Sequence, residues 1–342
     1  MQEIFTIQCT NQSGEGVYVK KDLTLLIPMY NKAPYIGRMV KSLSEQTCLD
    51  RTEIIVCDDK STDNSIETLK YFAEKYCVEM TLFMNDENLG LARNIRGLYR
   101  MIETEFWTVL DPDDYYIHPE RLSRAVNFLR AHPDYSMHAC NFYWIEEDGS
   151  RGLAVSQDAE NFSIFDYTEM PFFQTSAGTF RNVWNDKILK YIDQVAGNRR
   201  YHFTQGDTFR NFVAAHHGKI YVDNFIGSVY SLQESGMWST LSLFEQNVLN
   251  SEAYFRMSQM AKDFFYNDKT AAFLLQSSLS HYFQSLDSLY AIMKNLSLNK
   301  FTAQKYITSA LDLKTSDINS IFNFLVDREK DFISAGVRIM TE

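Results

Sequence analysis

Four short apolar runs, each closed by a polar loop and followed by a helical pattern, limit most strictly what this chain can fold into. They occupy residues 23–28, 53–57, 80–84 and 106–110. Uninterrupted apolar runs of this length suit strands buried on both faces of a parallel sheet. Between them, Ile36, Met39, Val40 and Leu43 recur at helical spacing, and further helical patterns cover 65–76 and about 90–102. Such alternation specifies βαβ units. Right-handed crossovers then bring the loops after the strands to one sheet edge, where open α/β sheets bind ligands. The loops at 28–32, 58–63 and 111–114 are therefore expected to converge.

Downstream, a helix is expected from Pro119 to about 131 and a strand over 135–145, then a mixed stretch over 151–240 with one helix at 206–217. From about 241 the pattern becomes purely helical, over 241–266, 271–295, 302–312 and 316–335. The organisation read from this is an N-terminal extension (1–22) with a candidate hairpin around 4–9 and 17–20, a main domain (23–240) in halves 23–115 and 116–240, and a helical region (241–342). With 44 acidic against 33 basic side chains the formal charge is −11, which disfavours polyanionic partners such as nucleic acid. Residues 1–244 hold 33 of the acids and 23 of the bases, so the excess lies with the polar loops. Five cysteines without C-x-x-C spacing are expected to be reduced and buried. Neither a secretory leader nor an apolar run of about 18 residues is seen, so a cytoplasmic location is expected, with the inner face of a plasma membrane open.

The densest chemistry is Asp111-Pro112-Asp113-Asp114, directly after the fourth run. Three carboxylates this close repel one another unless a cation or hydrogen bonds offset the charge, and oxygen ligands favour Mg²⁺ or Mn²⁺. Taken alone, the segment fits a solvated, capping turn ahead of Pro119 better. Asp58-Asp59 can accept bonds from a base or ribose, or simply belong to a turn with Ser61 and Asp63 as caps. Gly90 permits a tight turn into a helix that carries Arg93. The dinucleotide and P-loop glycine signatures are absent from the sequence.

In order, Pro28-Met-Tyr-Asn31, the 53–63 strand and loop, Asn88-Leu-Gly-Leu-Ala-Arg-Asn94 and Asp111-Pro-Asp-Asp114 resemble the family 2 glycosyltransferases, inverting enzymes of the GT-A fold, over about 23–240. The resemblance implies an α/β nucleotide-diphospho-sugar transferase fold with a mixed, mostly parallel sheet, plus a C-terminal helical appendage. It further implies that Pro28, Tyr30 and Asn31 line the nucleotide pocket, Asp58 holds the base, and Arg93 lies near base or phosphates. Asp111 and Asp114 belong with the donor's ribose or sugar, Asp113 with a Mn²⁺ or Mg²⁺ ion, and Asp207, after Gly206 at a helix start, with the catalytic base. The Ser- and Gly-containing turn with Trp238 joins the donor set, and residues 174–181 resemble the small-residue strand beside the donor.

One departure stands out. Many relatives carry Arg-x-His where Ser231-Leu232-Gln233 stand, which puts a third protein ligand to the metal in question. The implied partners are a nucleotide-sugar donor, UDP-linked by preference, and a glycan or lipid-linked glycan acceptor of the surface-polysaccharide type. Peripheral membrane association and a homodimer through the C-terminal helices are left open, as are a sugar nucleotidyltransferase and a non-catalytic sugar-nucleotide binder.

Overall fold

The computed structural model describes residues 2–7, 20–146, 148–153, 160–163, 173–196, 206–233, 236 and 239–295. Strands β2 (Leu23–Met29), β3 (Thr52–Asp58), β4 (Met80–Met84) and β5 (Phe106–Val109) lie parallel in the order β4-β3-β2-β5. All seven β2 residues are buried, as the unbroken apolar run requires. Leu23, Leu25, Ile27 and Met29 point into a core with α1 (Ala33–Ser44), α2 (Ser65–Tyr76) and α4 (Arg121–Ala131). Helix α3 (Leu91–Tyr99) packs on β2 and β3.

The chain moves outward from β2 to β4 and then returns to place β5 on the other side of β2. The order reverses between β2 and β5, so a crevice opens outside their carboxyl ends. The loop after β2 and the acidic segment after β5 flank that crevice.

The second half extends the sheet past β5. The strand β10 (Gly178–Arg181) is antiparallel to both β5 and β7 (Tyr135–Ile145), and β11 (Lys219–Ser231) runs parallel to β7. Short strands β6 (Tyr115–Tyr116), β8 (Arg151–Leu153) and β9 (Glu160–Phe162) pair with β11, β7 and β11. This is the mixed α/β sheet expected. Helix α6 (Asp207–His217) begins at the expected position. Helix α5 (Asp186–Ala196) is a second helix within 151–240, where the sequence pattern predicts only one.

At the N-terminus, β1 (Gln2–Ile7) pairs antiparallel with the edge strand β4. The other arm of the expected hairpin lies outside the described residues except Lys20. Cys48, Cys57 and Cys140 are buried free thiols, as expected. Cys77 corrects that expectation: it is disulfide-bonded. Cys9 lies outside the described residues.

The helical region contains α7 (Leu243–Asp263) and α8 (Asp268–Asn295), and its two further expected helices lie outside the described residues. The chain divides into two compact units, Met1–Thr240 with Phe255–Leu274, and Leu241–Tyr254 with Leu275–Glu342. Among the described residues no helix is long and apolar enough to cross a membrane.

Candidate active site

The loop after β2 is built by side chains that come from the loop after β3. Asn31 adopts positive φ (51°), its N–H donates to Ser61 Oγ (2.9 Å), and its Oδ1 accepts from the Thr62 N–H (2.8 Å). The Lys32 N–H donates to Ser65 Oγ (2.7 Å) and the Ala33 N–H to Asp63 Oδ2 (3.1 Å). These bonds satisfy amides at the start of α1 that have no helical partner. Tyr30 stands out from the loop, 42% exposed, whereas Pro28 is buried within β2.

The paired acids after β3 have separate tasks. Asp58 is fully buried and accepts from the Ser61 N–H (2.9 Å) and Ser61 Oγ (2.5 Å); burial raises its pKa and the Ser61 bonds lower it in part. Asp59 accepts from the N–H groups of Leu89 (2.8 Å) and Gly90 (2.7 Å) and from Asn85 (2.8 Å). It thereby fixes the turn into α3, where Gly90 has φ of 80°. Arg93 lies in the first turn of that helix, 4.0 Å from Glu87. It stands at the same sheet edge, but the described contacts do not join it to the acidic segment.

Asp111, Asp113 and Asp114 are distinguished by what they touch. Asp114 is buried, with Oδ2 accepting from Gln174 Nε2 (2.5 Å) and Oδ1 from the Ser231 N–H (2.9 Å). Both oxygens are thus engaged by protein donors. Asp113 forms an ion pair with Lys32. Its carbonyl accepts from Arg38 (2.9 Å) and from the Ser231 hydroxyl (2.7 Å). Asp111 keeps an enclosed carboxyl pushed up to about 6, first by burial and then by the charge of Asp113, with Arg210 and Lys32 acting against them.

Asp207 opens α6, and its Oδ1 accepts from the Thr208 N–H (2.8 Å). Burial raises its pKa, and Arg210, one turn along the helix, acts against this. Asp111 and Asp207 lie close enough to feel each other's charge, although they are 96 positions apart in the sequence. Arg210 is buried and donates to Thr175 Oγ1 (2.7 Å) and Tyr99 Oη (3.3 Å). The phenol of Tyr230 is raised by burial and then by the charges of Asp114, Asp111, Asp207 and Asp113.

The sequence pattern does not identify Tyr230, Arg210, Lys32 or Arg38 as members of this site. Ser231 and Gln233 are at its rim, where Gln233 Oε1 accepts from Tyr35 Oη (2.6 Å) and Ser231 Oγ from Arg38 (2.9 Å). Trp238 lies outside the described residues. Among the described residues no group of three or more His, Cys, Asp and Glu is arranged to hold a metal ion. A divalent ion that also binds donor phosphates needs only one or two protein carboxylates. Asp113, with Asp111 beside it, fits that smaller requirement.

An open, mostly parallel sheet that carries carboxylates at its strand-order reversal is an architecture that takes ligands at the carboxyl ends of its strands. The family model of glycosyl transferase family 2 matches residues 24–208, and the chain belongs to that family. It is similar to the putative glycosyltransferase EpsE of Bacillus subtilis, 26% identical over 39% of this chain and 47% of that one. It is also similar to the poly(ribitol-phosphate) beta-glucosyltransferase of Bacillus spizizenii, 35% identical over 32% of this chain and 17% of that one. The chain thus spans less than half the length of these curated relatives. Among solved structures, S. aureus TarS 1-349 in complex with UDP-GlcNAc has the same fold, with a TM-score of 0.57 and 16% identity over 94% of each chain.

Proposed function

We propose that this chain transfers a sugar from a nucleotide-diphosphate donor, UDP-linked, to a hydroxyl of a growing surface glycan, with inversion at the anomeric carbon. The observation that carries this proposal is the nearness of Asp111, after β5, to Asp207, at the start of α6, close enough to feel each other's charge, which suits a donor-side carboxylate and a base acting on one substrate. Inverting transfer needs one carboxylate to take the acceptor's proton while the hydroxyl attacks opposite the departing diphosphate. Asp207 has that part. Arg210 beside it favours the ionised form that accepts a proton, and the helix start does the same. Covalent catalysis is not required.

On the donor side, the exposed ring of Tyr30 and the loop of Asn31 and Ser61 receive the base. Asp58 acts through that loop, because its own oxygens are bound to Ser61. Asp111 faces the ribose or sugar, Asp114 fixes the segment to Gln174 and Ser231, and Arg93 lies on the side of the base and phosphates. Asp113, with Asp111, would hold Mn²⁺ or Mg²⁺. When bound, such an ion offsets the charge that develops on the leaving diphosphate. The names of similar proteins, a poly(ribitol-phosphate) glucosyltransferase and a UDP-GlcNAc complex among them, support a UDP-sugar donor and a polymer acceptor.

A thermal-shift screen of UDP-, GDP-, CMP- and dTDP-sugars, with and without Mn²⁺, tests the proposal. A ligand at 100 times its Kd stabilises the folded state by about 2.7 kcal/mol. Stabilisation by UDP-sugars that Mn²⁺ enhances is expected. No stabilisation by any nucleotide sugar would rule out donor binding, and the proposal with it.

A further inference from the structure

The ammonium group nearest the acidic segment belongs to a residue with no part in the transfer chemistry described so far. Lys32 Nζ is paired with Asp113 Oδ2, on the carboxylate assigned to the divalent ion. The root of the side chain is fixed, since the Lys32 N–H is held by Ser65 Oγ (2.7 Å) and the next N–H by Asp63 (3.1 Å). The head is less constrained. Lys32 and Asp113 side chains are 28% and 13% exposed, so an incoming ion can reach the pair. Lys32 also feels the charge of Asp111.

The neighbouring cations are held in place by other bonds, although Arg210 also offsets the charge of Asp111. Arg38 donates to the Asp113 carbonyl and to Ser231 Oγ and lies 4.2 Å from the centre of the Tyr115 ring. Arg210 is anchored to Thr175 and Tyr99. Lysine presents a compact point charge on a flexible stem, suited both to an ion pair and to phosphate.

Resting on the glycosyl-transfer proposal, we propose that Lys32 is an exchangeable counter-ion: it occupies Asp113 in the free protein, yields that carboxylate to a divalent cation when the donor arrives, and turns its ammonium to the donor diphosphate. The exchange follows from the charges. Asp114 is held by hydrogen bonds, but Asp111 and Asp113 beside it still call for a cation when the donor is absent. The diphosphate then brings further negative charge against the same segment. One ammonium cannot neutralise both, whereas an ion on Asp113 and the freed ammonium together can. Free of nucleotide, the protein therefore binds Mn²⁺ weakly because Lys32 competes for its ligand.

The test uses the full chain and titrates MnCl₂ by calorimetry or electron paramagnetic resonance, without nucleotide, into wild type, Lys32→Met, Lys32→Arg and Lys60→Met. Lys60 serves as a control cation, donating to the Asp86 carbonyl at the neighbouring loop. Lys32→Met is expected to bind Mn²⁺ at least tenfold more tightly than wild type, and the other two variants within about threefold of it. In saturating Mn²⁺, Lys32→Met should bind UDP fivefold or more weakly. Unchanged Mn²⁺ affinity in a folded Lys32→Met variant overturns the exchange. So does a wild-type structure with Mn²⁺ and UDP bound in which the Lys32–Asp113 pair persists, a measurement that needs no variant to fold. If wild type binds UDP with Mn²⁺ while either overturning result appears, only the role of Lys32 is lost. If wild type binds neither UDP nor Mn²⁺, donor binding and the exchange are both overturned.

Discussion

Burial raises the Asp207 carboxyl above its ordinary value, and the Arg210 guanidinium pulls it partly back. A general base must be ionised to work, so the acidic limb of the pH–rate profile is expected above the usual aspartate range. Asp207→Asn should keep UDP affinity within about twofold while turnover falls by about 10²- to 10⁴-fold. Calorimetry and a sugar-transfer assay measure the two separately, and normal turnover would remove the assignment. The same substitution relieves a desolvated charge, so its melting temperature at pH 7.5 should equal or exceed that of wild type. As candidates, Asp207 was singled out through the family resemblance, after Gly206 at a helix start, and Asp111 and Asp113 as acids directly after an apolar run. Their partners were not legible. Lys32 meets Asp113 across 81 positions, and Tyr35 meets Gln233 across 198. No local period records such a meeting; it follows only once the strand order is known.

At the scale of elements, local signals were strong where one element fixes its own bounds. The spacing over 65–76 matches α2, and the run over 80–84 matches β4. They were weak where pairing with distant chain sets the bounds, as for three- and four-residue β8, β9 and β10. Helix α5 carried a signal in Ile188 and Ile192, both buried, but follows directly on those short strands. The meeting of α1 and α2 depends on Gly37, where an added Cβ would stand 2.7 Å from the Phe72 ring. Gly37→Ala is therefore expected to force the helices apart and cost about 1–3 kcal/mol, despite alanine's better helix propensity. Urea unfolding with an unchanged slope would measure it. A more stable variant would mean that Phe72 moves aside without cost.

Helix α6 ends in two histidines, each bonded through Nδ1 to the carbonyl four residues back (2.9 and 2.8 Å). His216 stacks on Phe265, and burial holds its pKa down at about 4 against an ordinary 6.5. The unfolded chain therefore takes up a proton that the folded protein refuses between pH 6.5 and about 4. Stability from this group is full above that window and is lost as the pH falls through it. His216→Phe should flatten the decline, so that its melting temperature drops less than that of wild type between pH 7 and pH 5. Parallel declines would show that the acid sensitivity originates elsewhere.

For the molecule as a whole, the sequence near 241 changes to helical periodicity, but that change does not decide which helices the main domain can lose. Compactness divides the helical region differently, grouping Phe255–Leu274 with the strands. Contacts within that unit give the reason: Tyr191 Oη donates to the Arg256 carbonyl (3.3 Å), and Phe265 covers His216 and Phe212. Removing this segment would uncover aromatic surface on α5 and α6, the helix that carries Asp207. We therefore place the functional limit of the main domain after Leu274 rather than after Thr240. A chain ending at Leu274 is expected to stay soluble and keep UDP binding, whereas one ending at Thr240 should aggregate or melt at least 10 °C lower, a loss of a few kcal/mol. Size-exclusion chromatography and thermal melts distinguish the two. Equal behaviour of both truncations would return the boundary to 241 and make α7 and α8 peripheral from end to end.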